Sequence, residues 1–187
     1  TQNISLAQRT GGIVEPLPKL QWFVNVSKPF VIPHSEIPGI TSGSETTLKE
    51  IMRKSVDSGE IKILPEHLEK TYFHWTNNLR DWCISRQIWF GHRIPIWYKG
   101  EEMQCSINAP SGSGWEQESD VLDTWFSAAL WTFSTLGWPK ATEDLKKYHP
   151  TAVLETGYDI LFFWVARMIL MSGFHLGQVP FKTVYLH

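Results

Sequence analysis

Arg86 and Gln87, with His92 and Arg93 close behind, stand inside the aromatic segment RDWCISRQIWFGHRIPIWY, residues 80–98. A guanidinium is a planar fork of N–H donors suited to phosphate oxygens. Strand-edge salt bridges to Asp81 or a neighbour would use the same arginines equally well. A second group is ETGYD, residues 155–159. Gly157, at a strand-to-helix corner, has no Cβ to keep a ligand off the backbone. The helical turn beyond it leaves N–H groups unpaired, and Asp159 can accept hydrogen bonds from ribose-like hydroxyls. Capping of that helix by Thr156 or Asp159 accounts for the same residues.

Ile160, Trp164 and Met168 follow at i, i+4 and i+8, a spacing that puts them on one helix face. Trp125 and Trp131 lie around another strand-to-helix corner. If Trp125 and Trp164 face one sheet edge, they wall a pocket for a small branched aliphatic group; core packing is the competing use of both. No Ser–His–acid set, Gly-x-x-x-x-Gly-Lys loop or Gly-x-Gly-x-x-Gly fingerprint occurs, so nucleotide chemistry here needs another design and a nicotinamide-dependent oxidoreductase is disfavoured.

These side chains must be held by a core, and the chain has the material for one. Of 187 residues, 42% are apolar and 13% aromatic, with ten tryptophans, which excludes a disordered tail and bounds the chain at one domain or one plus an appendage. A net charge of −2 argues against a broadly basic, nucleic-acid-coating surface, though not against a local patch. Cys83 and Cys105 make neither a disulfide framework nor a four-ligand zinc site, and fit a reducing, cytoplasmic setting. No His-x-x-x-His pair exists among the seven histidines, so no metal ligands are expected. No signal segment opens the chain. The longest greasy stretch, ILFFWVA and MILM around Arg167, reads as twelve positions with a charge inside, too short to span a bilayer.

The first thirty residues, broken by Gly11, Gly12, Pro16, Pro18 and Pro29, read as short strands and turns. ETTLKEIMRKSVDSGE is an amphipathic helix on Leu48, Ile51, Met52 and Val56, with Ser44 as its N-cap and Gly59 as its stop. IKIL before Pro65 is a strand, residues 66–79 a helical turn, DWCISRQIW an extended run and APSGSG, 109–114, a flexible connector. DVLDTWFSAALWTFSTLGWP begins extended, turns helical near Ser127 and closes at Gly137 and Pro139. TAVLE (151–155), a helix over 158–173 and KTVYLH (182–187) have the length of a β-α-β crossover, which implies a parallel sheet covered on both faces with ligands beyond its carboxyl ends, around ETGYD.

Four segments in this order, RDWCISRQIWFGHRIPIW, DVLDTWFSAALWTFSTLGWP, LETGYDILFFWVARMILM and VPFKTVYLH, closely resemble the catalytic domain of the valyl-tRNA synthetases, class I aminoacyl-tRNA synthetases. GGIVEP followed by QWFV resembles the return from that family's editing insertion. The resemblance covers nearly the whole chain from about residue 9. It implies an α/β fold: a partial Rossmann-type parallel sheet with covering helices, plus a small N-terminal segment of short strands and one helix. Residues 1–75 would be the segment returning from the insertion and 76–187 the second half of the catalytic domain. The implied activity joins L-valine to ATP, with Mg2+, as valyl-adenylate, then transfers the valyl group to the 3′ end of tRNA(Val).

The same resemblance implies that Trp125, Ile160 and Trp164 form the valine side-chain pocket. Thr156, Gly157 and Asp159 would hold the adenylate, and Arg86 and Gln87 would lie at the active-site rim near the tRNA acceptor end. No metal site, zinc included, is expected within the chain, which has no metal motif, and no catalytic residue, because the family's HIGH and KMSKS signatures are absent from it. The piece alone is therefore expected to be inert, its parent monomeric and free of membrane. Lys99 to Gly114 is shorter than the family's usual connection, and Phe90 stands where many relatives have tryptophan. A non-catalytic tRNA-binding or structural paralogue and an isoleucyl relative are the alternative readings; ILFFWVARM favours valine.

Overall fold

The computed structural model describes residues 3–15 and 17–187; Thr1, Gln2 and Pro16, the last expected to break the opening run, lie outside the described residues. The chain passes through β1 (Phe23–Val24), β2 (Phe30–Val31), β3 (Glu45–Thr46), α1 (Leu48–Asp57), β4 (Lys62–Leu64) and α2 (His67–Asn77). It continues with β5 (Trp82–Cys83), β6 (Ser85–Arg86), β7 (Ile96–Lys99), β8 (Glu102–Cys105), β9 (Glu116–Gln117) and β10 (Val121–Leu122). Then come α3 (Thr124–Ala128), α4 (Trp131–Ser134), α5 (Glu143–Tyr148), β11 (Thr151–Thr156), α6 (Ala166–Leu176) and β12 (Phe181–Leu186).

The expected crossover is present. β11 and β12 run parallel, in register from Thr151 opposite Phe181 to Thr156 opposite Leu186, and β4 joins the far side of β12, also parallel, in the order β11-β12-β4. The short IKIL strand is thus the third member of the main sheet, which takes strands from both sides of residue 75. Smaller antiparallel pairs surround it: β1 with β5, β2 with β3, β6 with β10, and a β8-β7-β9 sheet. Residues 109–114 form the irregular link between β8 and β9.

Several boundaries differ from those expected. The N-cap of α1 is Thr47, whose hydroxyl accepts from the Glu50 N–H at 3.0 Å, and not Ser44, which lies beyond reach in the preceding turn. The turn over 66–79 is the full helix α2. α3 starts at Thr124 rather than near Ser127, because the Asp123 carboxylate caps it by accepting from the Trp125 N–H.

The crossover helix is continuous over Tyr158–Leu176, a turn beyond the expected end at 173, but not uniform. Tyr158–Ile160 is a 3₁₀ turn, Leu161–Val165 a π turn, and only from Ala166 is it α-helical. Gly177 stops it at φ 67°, where a Cβ would also run into the His34 carbonyl. The 19-residue run is long and apolar enough to cross a membrane by length and composition, which corrects the twelve-position reading. Here it is half buried, packed against α1 and sharing a core with the sheet.

Ile51 and Met52 of α1, Val165, Met168 and Ile169 of the crossover, and Ile63, Phe181 and Val184 of the sheet are all essentially unexposed and form one core. Each such side chain stabilises the fold by about 1.5–3 kcal/mol relative to exposure. That core fixes the crossover helix over the sheet, and with it the residues at the helix's beginning.

Candidate functional site

The corner between β11 and the crossover helix is zipped to the end of β12: the His187 N–H donates to the Thr156 carbonyl at 3.2 Å and the Tyr158 N–H to the His187 carbonyl at 3.1 Å. Thr156 is buried, while Asp159 is exposed one turn on. Gly157 has φ −63°, open to any residue, and an added Cβ would meet the carboxylate tip of the exposed Asp159 side chain, which can swing aside. A cavity of about 370 Å³ lies beyond the strand ends, lined by Pro65, His67, Leu68, Tyr158, Leu186 and His187. It occupies the place where open parallel sheets receive ligands.

The first turns of the crossover helix meet α3 along an aromatic seam. Trp125 stacks on Phe163, ring centroids 6.0 Å apart at 26°, while Trp164 packs against Trp131 at 5.8 Å. The Trp164 Nε1–H donates to the Ala128 carbonyl at 3.1 Å, at the far end of α3. Trp125 and Trp164 therefore lie on one seam, each against a different ring rather than face to face. Of the three residues expected on one face, Met168 is wholly buried whereas Ile160 and Trp164 are half-buried, so the face emerges from the core toward the corner. A π turn within a helix is uncommon and is frequent at functional sites; this one carries Trp164.

Arg86 and Gln87 are gathered by two buried aspartates that flank β10. Pairing of β6 with β10 sets Arg86 opposite Val121. The Gln87 amide then donates to Asp120 Oδ2 at 2.7 Å, and the Arg86 guanidinium to Asp123 Oδ2 at 2.9 Å. Lys19 adds an ion pair to Asp120 at 2.8 Å, so this carboxylate is also compensated. Beyond them Trp89 and Phe90 are almost fully exposed.

Asp123 is the residue that joins these groups. Its Oδ1 accepts from the Trp125 N–H at 3.4 Å; its Oδ2 accepts from Arg86, from Arg167 Nη1 at 3.4 Å and from Trp82 Nε1 at 3.4 Å. Arg167 lies over the Trp82 ring, 4.1 Å from its centroid, and near Phe162 and Phe163. Burial pushes the Arg167 guanidinium down to about 10, Asp123 offsets part of that, and the neighbouring charge of Arg86 adds to it. It stays charged at neutral pH.

Sequence reading missed Asp123 and Arg167. Their signals were present: an aspartate two residues before a helical tryptophan is an N-cap pattern, and an arginine inside FFWVARMILM requires a buried partner. Beside this cluster an apolar cavity of about 470 Å³ is walled by Trp75, Trp82, Phe162 and Leu170, with Arg86 and Arg167 on its rim. Among the described residues, no three His, Cys, Asp or Glu side chains converge as metal ligands.

Comparison with known proteins bears on this arrangement. The profile of the family described as tRNA synthetases class I (I, L, M and V) matches residues 13–113 and 101–187. The chain is 49% identical to the valine--tRNA ligase of Protochlamydia amoebophila, over 98% of this chain and 18% of that protein. It is 47% identical to that of Bacillus subtilis, over 99% of this chain and 19% of that one. The chain thus spans about a fifth of the length of the curated relatives it matches. Among solved structures, Mycobacterium tuberculosis methionyl-tRNA synthetase in complex with methionyl-adenylate matches with a TM-score of 0.53 at 18% identity, over 85% of this chain and 30% of that one, a likeness of fold.

Proposed function

We propose a function that proceeds from one premise: the chain belongs to the class I tRNA synthetases (I, L, M and V). It is the part of a valine--tRNA ligase that receives the amino-acid side chain and the nucleotide's ribose. The observation that carries this is near-50% identity, along essentially the whole chain, to proteins named as valine--tRNA ligases. In the complete protein the valine carboxylate attacks the α-phosphorus of ATP, pyrophosphate leaves, and valyl-adenylate forms. A hydroxyl of the terminal adenosine of tRNA(Val) then attacks the carbonyl carbon and AMP leaves.

In this reading the isopropyl group of valine sits at the seam of α3 and the π turn, walled by Trp125 and Trp164 with Ile160 beside them. Such a niche discriminates a missing or extra methylene by about 1–3 kcal/mol. Thr156, Gly157 and Asp159 hold the adenylate's backbone and ribose, with Asp159 accepting from hydroxyls. Arg86 and Gln87 form the rim that meets the tRNA acceptor end. Mg2+ would arrive with the ATP phosphates, to which its oxygen chemistry is suited. Residues 1–75 would return from the editing insertion and 76–187 continue the catalytic domain, in a monomeric, cytoplasmic enzyme.

The test is amino-acid-dependent exchange of pyrophosphate into ATP by the full-length protein, over a panel of amino acids. Valine should support exchange and charging of tRNA(Val) far better than isoleucine or leucine. Preference for isoleucine would overturn the valine assignment, and no exchange with any amino acid would favour a non-catalytic paralogue.

A further inference from the structure

We infer that Asp123, through its ion pair with Arg167, is a positioning residue that sets how Trp125 and Trp164 are placed along their seam, and so the selectivity for the amino-acid side chain. The inference rests on the seam being the amino-acid niche.

The geometry behind it is a seam tied at both ends. At one end the Asp123 carboxylate holds the first turn of α3 through the Trp125 N–H, 3.4 Å away, and holds the crossover helix through Arg167, also at 3.4 Å. At the other, the Trp164 indole holds the last carbonyl of the same short helix, Ala128 O, at 3.1 Å. The first tie is made on the backbone N–H of Trp125 itself, the second on the Trp164 ring, and Arg167 follows Trp164 by three residues on the crossover helix.

Between the ties the contacts are apolar: Trp125 stacks on Phe163 and Trp164 packs against Trp131. Apolar contacts of this kind adapt: cores accept altered volumes by repacking and lose uniqueness before they lose stability. A niche that must refuse one methylene needs walls that do not yield, and directional polar ties on buried groups supply that stiffness. Asp123 is buried and the Arg167 side chain is only 12% exposed, so water cannot easily replace either partner.

Arg86 gives Asp123 a second strong partner at 2.9 Å, on the side of the rim. The carboxylate is thereby oriented from two directions. Trp82 fixes the plane of Arg167 by lying beneath it and donates to the same carboxylate. One side chain therefore connects the rim, the niche and the crossover helix, without itself reaching the aromatic faces.

Asp123→Asn in the full-length protein tests this, because it keeps the side chain's size and one acceptor but removes the charge that orients Arg167. The readout is pyrophosphate exchange with valine and with isoleucine. The expected result is a valine KM raised about tenfold, an ATP KM changed less than about twofold, and a valine-over-isoleucine ratio of kcat/KM lowered about tenfold. Arg167→Lys, which keeps the charge and loses the fork, should shift the same ratio in the same direction by less.

An unchanged ratio in either folded variant, or equal losses for valine and ATP, would overturn the inference while leaving the assignment of function intact. If neither variant folds, the pair is a folding staple and the inference is likewise overturned. If the unmodified protein does not activate valine, the functional reading fails first and the inference falls with it.

Discussion

Gly173 of α6 lies directly against Ile51 of α1: a methyl group added to it would collide with Cγ2 of that fully buried isoleucine. The helices approach this closely because one of them carries no Cβ at the contact. Gly173→Ala is expected to destabilise the fold by about 1–3 kcal/mol through overpacking, more than the roughly 1 kcal/mol gained in helix propensity. Ile51→Ala removes the colliding carbon, so the double variant should lose less than the sum of the single losses in denaturant unfolding. Strictly additive losses would show that the contact is not what limits the approach.

Thr47→Ala should cost about 1 kcal/mol by removing the acceptor for the Glu50 N–H, whereas Ser44→Ala should be close to neutral for helix stability. Denaturant midpoints of the two variants check this directly. The opposite ranking would move the start of α1 back toward the earlier serine.

Trp164→Phe in the full-length protein keeps a ring in the seam and removes the indole N–H that reaches Ala128 O. The valine KM should rise about tenfold with the ATP KM nearly unchanged, as for loss of binding at one subsite. Equal changes for both substrates would make the tryptophan an ordinary packing residue.

His149 is buried against Phe133, with its Nε2 3.2 Å from the Ser172 hydroxyl, which itself donates to the Gln178 carbonyl. Because the Ser172 hydroxyl donates to Gln178, it is placed to accept from an Nε2–H of the ring. Burial pushes this imidazole below its ordinary value of 6.5, offset in part by the Thr132 backbone and the charge of Glu36. His175, lowered by burial alone, acts in the same direction.

Because the folded pKa is the lower one, the unfolded chain binds more protons as pH falls below 6.5. The contribution is fully present above that value and is lost as pH falls toward the folded one. Thermal midpoints should therefore drop on going from about pH 7 to pH 5, and His149→Gln should flatten that slope while costing stability at pH 7. An equally steep slope in the variant would assign the effect elsewhere.

Periodicity alone made α1 and the β-α-β unit legible: Leu48, Ile51, Met52 and Val56 mark one helix face, and TAVLE and KTVYLH bracket an apolar helix of crossover length. It put the cap of α1 at Ser44 and missed Thr47, because only backbone geometry decides which hydroxyl meets a free N–H. The π turn at Leu161–Val165 leaves no compositional mark, since the same residues serve an α-helix equally well. Trp125, Trp164, Gly157 and Arg86 stood out by type and by resemblance. Asp123 did not, because its partners at Trp82, Arg86 and Arg167 are up to 44 residues away and pairwise proximity is not encoded in one sequence.

The order of strands in the main sheet has a consequence for biosynthesis. β12, the middle strand, emerges from the ribosome after both of its neighbours, and β4 precedes it by over a hundred residues. Until residue 186 is outside the exit tunnel, neither β4 nor β11 has its ladder partner, and the apolar crossover helix waits without the surface it covers. A nascent chain stalled before that point would expose this stretch to chaperones, whereas one stalled shortly after it could close the sheet in a single step.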